Sequence, residues 1–119
     1  MATQATSKLG PELQPRALRE ALGVSRERMA RLLDVSAKTV ERWERDGKLP
    51  VRASVRHRLA QLQEIAELGR IVYTPDGLVL FLKTPFPTFD GRTGLQLIET
   101  GDGERVFGVL AGEYEGLGF

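Results

Sequence analysis

The 119 residues include no cysteine, one histidine and one tryptophan. Without thiols the chain has neither disulfides nor thiolate metal sites, so nothing in it points to an oxidising compartment. No stretch approaches the ~20 apolar residues that a membrane-spanning helix needs, and residues 1–10 read as a short polar leader lacking the apolar segment of a signal peptide. The expectation is a cytoplasmic protein with no membrane partner. Convergent acid, base and nucleophile groups are also scarce. His57 lies among arginines on a helix, where a surface or packing role suits it. Asp76, Asp90 and Asp102 are each explained by turn or cap chemistry, and Gly101-Asp102-Gly103 is too short for a phosphate loop. No metal-ligand spacing emerges. Catalytic residues, metal ligands, cofactors and a small-molecule substrate are therefore expected to be absent.

What is present is a globular composition with a hidden asymmetry. Hydrophobic residues make up 41% of the chain, enough for a modest core in one domain or two very small ones. The formal net charge is only +1, yet residues 1–58 hold 13 Lys/Arg against 7 Asp/Glu and residues 59–119 hold 4 against 9. The first half is thus +6 and the second −5. A basic half suits a polyanion, and an acidic half carrying 10 of the 13 glycines suits a different partner. Alternatively, the two halves attract one another.

Residues 25–47, SRERMARLLDVSAKTVERWERDG, read as two short amphipathic helices joined by a tight corner. In the first, Met29, Ala30 and Leu33 share a face at three- and four-residue steps that Arg26, Arg28 and Arg31 largely avoid. Ser25 is its expected N-cap, with Glu27 in the first turn where the helix dipole favours an acid. Asp34 tolerates a left-handed turn, Val35 can point inward, and Ser36 can cap the second helix by accepting from the Thr39 N–H. That second helix puts Ala37, Val40 and Trp43 on one side and Lys38, Arg42 and Arg45 opposite. Small Ala30 lets the helices cross closely, and Trp43 fills the space beneath. This is a helix-turn-helix unit. Ala30, Val35, Val40 and Trp43 together resemble the Xre type of repressor motif, which usually has Gly where this chain has Asp34. A plain helical bundle with a solvated basic face is the competing reading.

Residues 11–22 read as a leading helix ended by Gly23, and Gly47 with Pro50 stops the recognition helix. Residues 51–68 carry Val55, Leu59, Leu62 and Ile65 at helical spacing, a long connecting helix whose Arg52, Arg56 and Arg58 suit either DNA phosphates or solvent. Residues 71–82 are ambiguous from local propensity. Thr74-Pro75-Asp76-Gly77 either closes a β-hairpin between two apolar runs or starts a helix with Thr74 as N-cap and Pro75 at the first position. Residues 84–93, TPFPTFDGRT, form an ordered loop pinned by Phe86 and Phe89. Short helices are expected over 95–100 and 104–114, with Val106, Val109 and Leu110 inward, ahead of a flexible, apolar tail at 116–119.

Pro85-Phe86-Pro87-Thr88-Phe89-Asp90-Gly91-Arg92-Thr93, then Leu95, Ile98, Thr100-Gly101-Asp102-Gly103 and Val106, resemble the toxin-binding domain of the MbcA/ParS/Xre antitoxins. The likeness covers about residues 74–119, and the helix-turn-helix before it fits the same architecture. Pro85, Phe89, Asp90, Gly91 and Thr93 carry the signature loop. Gly94 departs from it, since the family more often has Pro opening that helix. The resemblance implies an all-α fold, which tips residues 74–82 toward helix. It also implies a partner, a RES-domain toxin that consumes NAD⁺ and whose active-site entrance the antitoxin's last residues block. On this sequence those are Tyr114, Glu115, Leu117 and Phe119 with its terminal carboxylate.

The expected organisation is a leader over 1–10, a helix-turn-helix domain over 11–50, a linking helix over 51–73 and a small helical toxin-binding domain over 74–119. The expected function is an antitoxin, not an enzyme, that blocks its toxin and represses its own operon as a homodimer on operator DNA. Arg26, Ser36, Ala37, Lys38, Thr39, Arg42 and Arg45 are its candidate DNA contacts, and the loop around Phe86 and Phe89 is a candidate dimer interface. One rival reading is a transcriptional regulator whose C-terminal domain only dimerises. The other is a pure inhibitor whose helix-turn-helix has lost DNA binding.

Overall fold

The computed structural model describes residues 14–48 and 52–117, and among them all extended regular structure is helical. Three short helices, α1 (Pro15–Leu22), α2 (Arg26–Leu33) and α3 (Ala37–Asp46), lead to a long α4 (Ala53–Val72). After it come α5 (Pro75–Lys83), a 3-10 turn (Pro87–Phe89), α6 (Gly94–Glu99) and α7 (Gly103–Gly116). The leader over 1–10 and the start of the expected first helix lie outside the described residues, as do Leu49, Pro50, Val51, Gly118 and Phe119.

The helix ends follow from side chains that satisfy orphan backbone groups. Ser25 Oγ accepts from the Arg28 N–H at 3.0 Å, Ser36 Oγ from Thr39 at 3.1 Å and Thr74 Oγ1 from Gly77 at 3.0 Å. The last of these, with Pro75 at the first position and Asp76 in the first turn, makes residues 75–83 a helix and removes the hairpin alternative. Ile71 and Val72, one arm of that hairpin, instead extend α4 by another turn. Described structure in α1 begins with Gln14 extended and Pro15 at the first helical position, as the restricted residue before a proline requires. Asp34 adopts the left-handed conformation at φ 60°, so the tight corner forms without the usual Gly.

Gly94 opens α6 without a proline at the first position, and Thr93 and Gln96 form a reciprocal capping box, with bonds of 3.1 and 2.9 Å, that fixes its start. One expectation about α7 is revised. Asp102 was expected to cap α7, yet its side chain makes no capping bond and pairs with Arg105 at 3.4 Å. A residue at φ −111°, ψ 35° does not aim its carboxylate at the first-turn amides.

Packing joins both parts of the chain. α2 and α3 cross at buried Ala30, Val40 and Trp43, the last 7% exposed, while α7 lies along α4 and α6 closes against α2 and α7. Leu18, Trp43, Leu62, Leu82, Phe89 and Val106 all belong to one continuous apolar cluster. α4 runs through the middle of it, with Leu62, Gln63 and residues 65–69 all buried. Close approach replaces bulk at two glycines: a Cβ on Gly69 would lie 2.5 Å from Leu78, and one on Gly23 (φ 72°) 2.7 Å from Val79. α5 thus rests directly on the backbones of α4 and the α1–α2 corner.

Candidate nucleic-acid interface and C-terminal face

α3 presents its two faces as the periodicity predicts. Val40 and Trp43 are buried, while Lys38, Arg42 and Arg45 are exposed on the opposite side. Lys38 and Arg42 have no ion-pair partner among the described residues, and Arg45 bonds its neighbour Asp46 at 3.1 Å. Exposed Glu41 sits at the edge of the same face and lowers its charge by one. Ser36 and Thr39 hold one another, hydroxyl to hydroxyl, at 2.9 Å across the first turn of α3, and half-buried Ala37 lies between them. At the start of this helix the positive dipole end, a pair of hydroxyls and an unpaired ammonium therefore converge.

Other cations from the basic half are already engaged. Arg26 donates through Nε to Glu44 Oε1 at 3.0 Å, Arg19 reaches Glu44 Oε2 at 2.5 Å, and Arg16 stands 3.6 Å away. The Glu44 side chain is 1% exposed. Burial by itself pushes its carboxyl up, but the bonds from Arg19 and Arg26 outweigh that and hold it below the ordinary carboxylate range. The same pairing raises Arg19. Arg58, counted as a possible phosphate contact, instead donates to the Leu32 carbonyl at 3.0 Å and caps the C-terminus of α2. Arg28 and Arg31 both reach Glu99 at the end of α6, Arg31 at 3.5 Å. The charge asymmetry is thus partly spent inside the molecule, joining one half to the other.

Glu44 and Glu99 escaped sequence reasoning. For Glu44 a signal existed: it follows Val40 by four and Ala37 by seven, a charged residue on the apolar side of α3 that needs a buried cation. Glu99 gave none, because its partners are 68 and 71 positions away.

In the C-terminal part the signature loop is an internal strut. Phe89 is 0% exposed and packs edge-on to Phe81 and Phe86, with Tyr73 stacked on Phe81 at 5.3 Å. Asp90 takes a left-handed turn at φ 58°, Gly91 follows at φ 80°, and Thr93 caps α6; Pro85 is exposed. Phe89 is therefore the loop's internal anchor, while Pro85, Pro87 and Thr88 stay exposed. The tail is also revised. α7 continues through Gly116, so Tyr114, Glu115 and Gly116 are helical and the tail expected from 116 starts later. Tyr114 is half-buried against the core, Glu115 is exposed and Leu117 is 51% exposed; Phe119 lies outside the described residues. Tyr73 donates to Glu113 at 2.7 Å, tying this end of α7 to the α4–α5 corner, and burial with that bond pushes its phenol up to about 12.

Among the described residues no group of three or more His, Cys, Asp or Glu side chains is arranged to hold a metal ion. No described helix is long and apolar enough to cross a membrane. His57 is exposed on α4, as its arginine-rich surroundings suggest.

A profile described as a helix-turn-helix domain matches residues 14–68. These residues form a helix-turn-helix domain. It takes in α1 to α3 and most of α4, so the recognition helix, the Glu44 cluster and the Leu32 cap all belong to it. The chain shares its fold with a chain in the crystal structure of the M. tuberculosis MbcT-MbcA toxin-antitoxin complex, with a TM-score of 0.70 at 24% identity. That likeness covers 89% of this chain and 95% of the other, so it extends beyond the helix-turn-helix domain into α5–α7. No curated protein sequence matches the chain.

Proposed function

We propose that this chain is the antitoxin of a toxin–antitoxin pair, binding operator DNA through the helix-turn-helix domain and a RES-domain, NAD⁺-consuming toxin through the C-terminal part. The observation that carries the reading is the common fold over 89% of the chain with a member of a toxin–antitoxin complex, which joins both parts in one architecture. Lys38 and Arg42 approach base edges, Ser36, Ala37 and Thr39 meet the DNA at the N-terminus of α3, and Arg26 and Arg45 take phosphates. The exposed end of α7, Glu115 and Leu117 with Tyr114 behind them and Phe119 beyond, enters the toxin's active-site mouth.

Operon repression follows from DNA binding, and a homodimer from the two half-sites that such modules read. A DNA partner also places the protein in the cytoplasm. As an antitoxin the chain acts by occupying surfaces rather than by chemistry.

The test is co-expression with the product of the adjacent reading frame, expected to be a RES-domain protein, followed by size-exclusion and an assay of NAD⁺ loss. A stable complex with suppressed NAD⁺ consumption is expected. Deleting residues 114–119 should restore consumption while the complex persists. A mixture that elutes as separate components, with NAD⁺ consumed at the free toxin's rate, would defeat the proposal.

A further inference from the structure

Glu44 lies on the inner side of the recognition helix, yet it gathers three arginines from two other helices. Arg19 (15% side-chain exposure) is consumed by the arrangement: it bonds both carboxylate oxygens and donates Nη1 to the Val24 carbonyl at 3.1 Å. Arg16 and Arg26 differ. They are 58% and 42% exposed and face Glu44 through Nε, Arg26 in a hydrogen bond of 3.0 Å and Arg16 in a looser ion pair at 3.6 Å, and neither hydrogen-bonds any other described residue. A guanidinium anchored at Nε directs its two terminal nitrogens away from the anchor, which is the fork that matches a phosphate bidentately. Three guanidiniums face the single Glu44 carboxylate, with Glu20 and Glu27 also within electrostatic reach of Arg19. Glu44 and Lys38 are six residues apart on α3, roughly 9 Å along the axis, so this rim flanks the face proposed to enter the groove.

Resting on the DNA-binding reading above, we infer that Arg16 and Arg26 form a seat for a DNA backbone phosphate and that Glu44 is its positioning residue. The carboxylate holds the forks in register with α3, so that less side-chain freedom is lost when the phosphate arrives. It stays ionised under all ordinary conditions, in keeping with the downward displacement its neighbours impose.

The sign of one substitution separates this from simple electrostatics. Glu44→Gln removes a negative charge from a DNA-binding domain, so if Glu44 has no positioning role the variant binds DNA more tightly. The seat predicts weaker binding, by about tenfold for the loss of one charge-assisted contact. A duplex selected from a random pool by the wild-type chain serves as probe, with affinity measured across a salt series and folding checked by circular dichroism. Arg26→Ala should lower the salt slope by about one. In a double-mutant cycle, Arg26→Ala should cost less in the Glu44→Gln background than in the wild type.

If Glu44→Gln does not fold, Arg26→Lys keeps the charge while losing the fork and should still weaken binding severalfold. Tighter or unchanged binding by Glu44→Gln, an unchanged salt slope for Arg26→Ala, or full affinity in Arg26→Lys overturns the seat. Failure of the wild-type chain to select any duplex overturns the DNA reading itself. A wild type that selects a duplex its variants bind equally well overturns the seat alone.

Discussion

Alanine in place of glycine should act with opposite sign at two positions of similar local structure. In a helix interior the exchange is worth up to about 1 kcal/mol in favour of Ala, because glycine loses more backbone freedom on folding. On α7, a Cβ at Gly112 meets nothing within 4 Å, so Gly112→Ala should stabilise by about 0.5–1 kcal/mol. On α4, a Cβ at Gly69 would lie 2.5 Å and 2.9 Å from the two Leu78 methyls and 3.1 Å from its Cγ. Leu78 is 1% exposed and cannot swing into solvent, so α5 must back away from α4. Overpacking of this kind costs about 1–3 kcal/mol, which exceeds the propensity gain and leaves Gly69→Ala destabilised by about 1 kcal/mol. Urea unfolding at fixed protein concentration measures both, read as midpoint shifts at constant slope. Thermal midpoints should part by roughly 4–8 °C for each kcal/mol between the variants. A Gly69→Ala protein at least as stable as the wild type would show that α5 does not rest on the α4 backbone as described.

Replacing Lys38 and Arg42 together by Ala should abolish operator binding in a gel shift while leaving toxin inhibition and the urea midpoint unchanged, since neither is paired among the described residues. Unaltered affinity at fixed salt counts against α3 as the reading helix. Trp43→Ala should cost about 3–5 kcal/mol, because a buried indole leaves a large void between α2 and α3; a loss under 1 kcal/mol in the same urea assay would contradict that packing. Glu44 is held below its ordinary value of 4.5, so its share of stability is complete above that pH and lost as pH falls through the folded-state value. Urea midpoints between about pH 6 and 3 should therefore drop less steeply for Glu44→Gln than for the wild type. Tyr73 is raised from 10 to about 12, so its contribution is complete below pH 10 and fades as pH climbs toward 12. An alkaline ultraviolet titration should lose this late phenolate in Tyr73→Phe, and an unchanged curve would place it on Tyr114.

Whatever depends on a few neighbouring residues was legible in the chain. Ser25, Ser36 and Thr74 sit at cap positions because a hydroxyl there reaches an amide two or three residues on, and all three make that bond. The two faces of α3 follow from its 3.6-residue period, and the Phe89 anchor from an apolar residue inside a proline-rich loop. Local pattern failed where two conformations were equally well coded, as at residues 74–82. It also stretched cap logic too far at Asp102 and counted Gly116, the last residue of α7, into the tail.

The sequence by itself determined where α2 and α3 begin and which face of the recognition helix is basic, because these are settled by contacts within about one turn. Tertiary structure alone decided which cations remain free. Arg26 is given to Glu44, Arg58 to the Leu32 carbonyl, and Arg28 and Arg31 to Glu99, while Lys38 and Arg42 keep their charge facing outward. A count of charges does not reveal such pairings, since each joins residues 18 or more positions apart. Only packing of the helices around one apolar core brings those residues within reach.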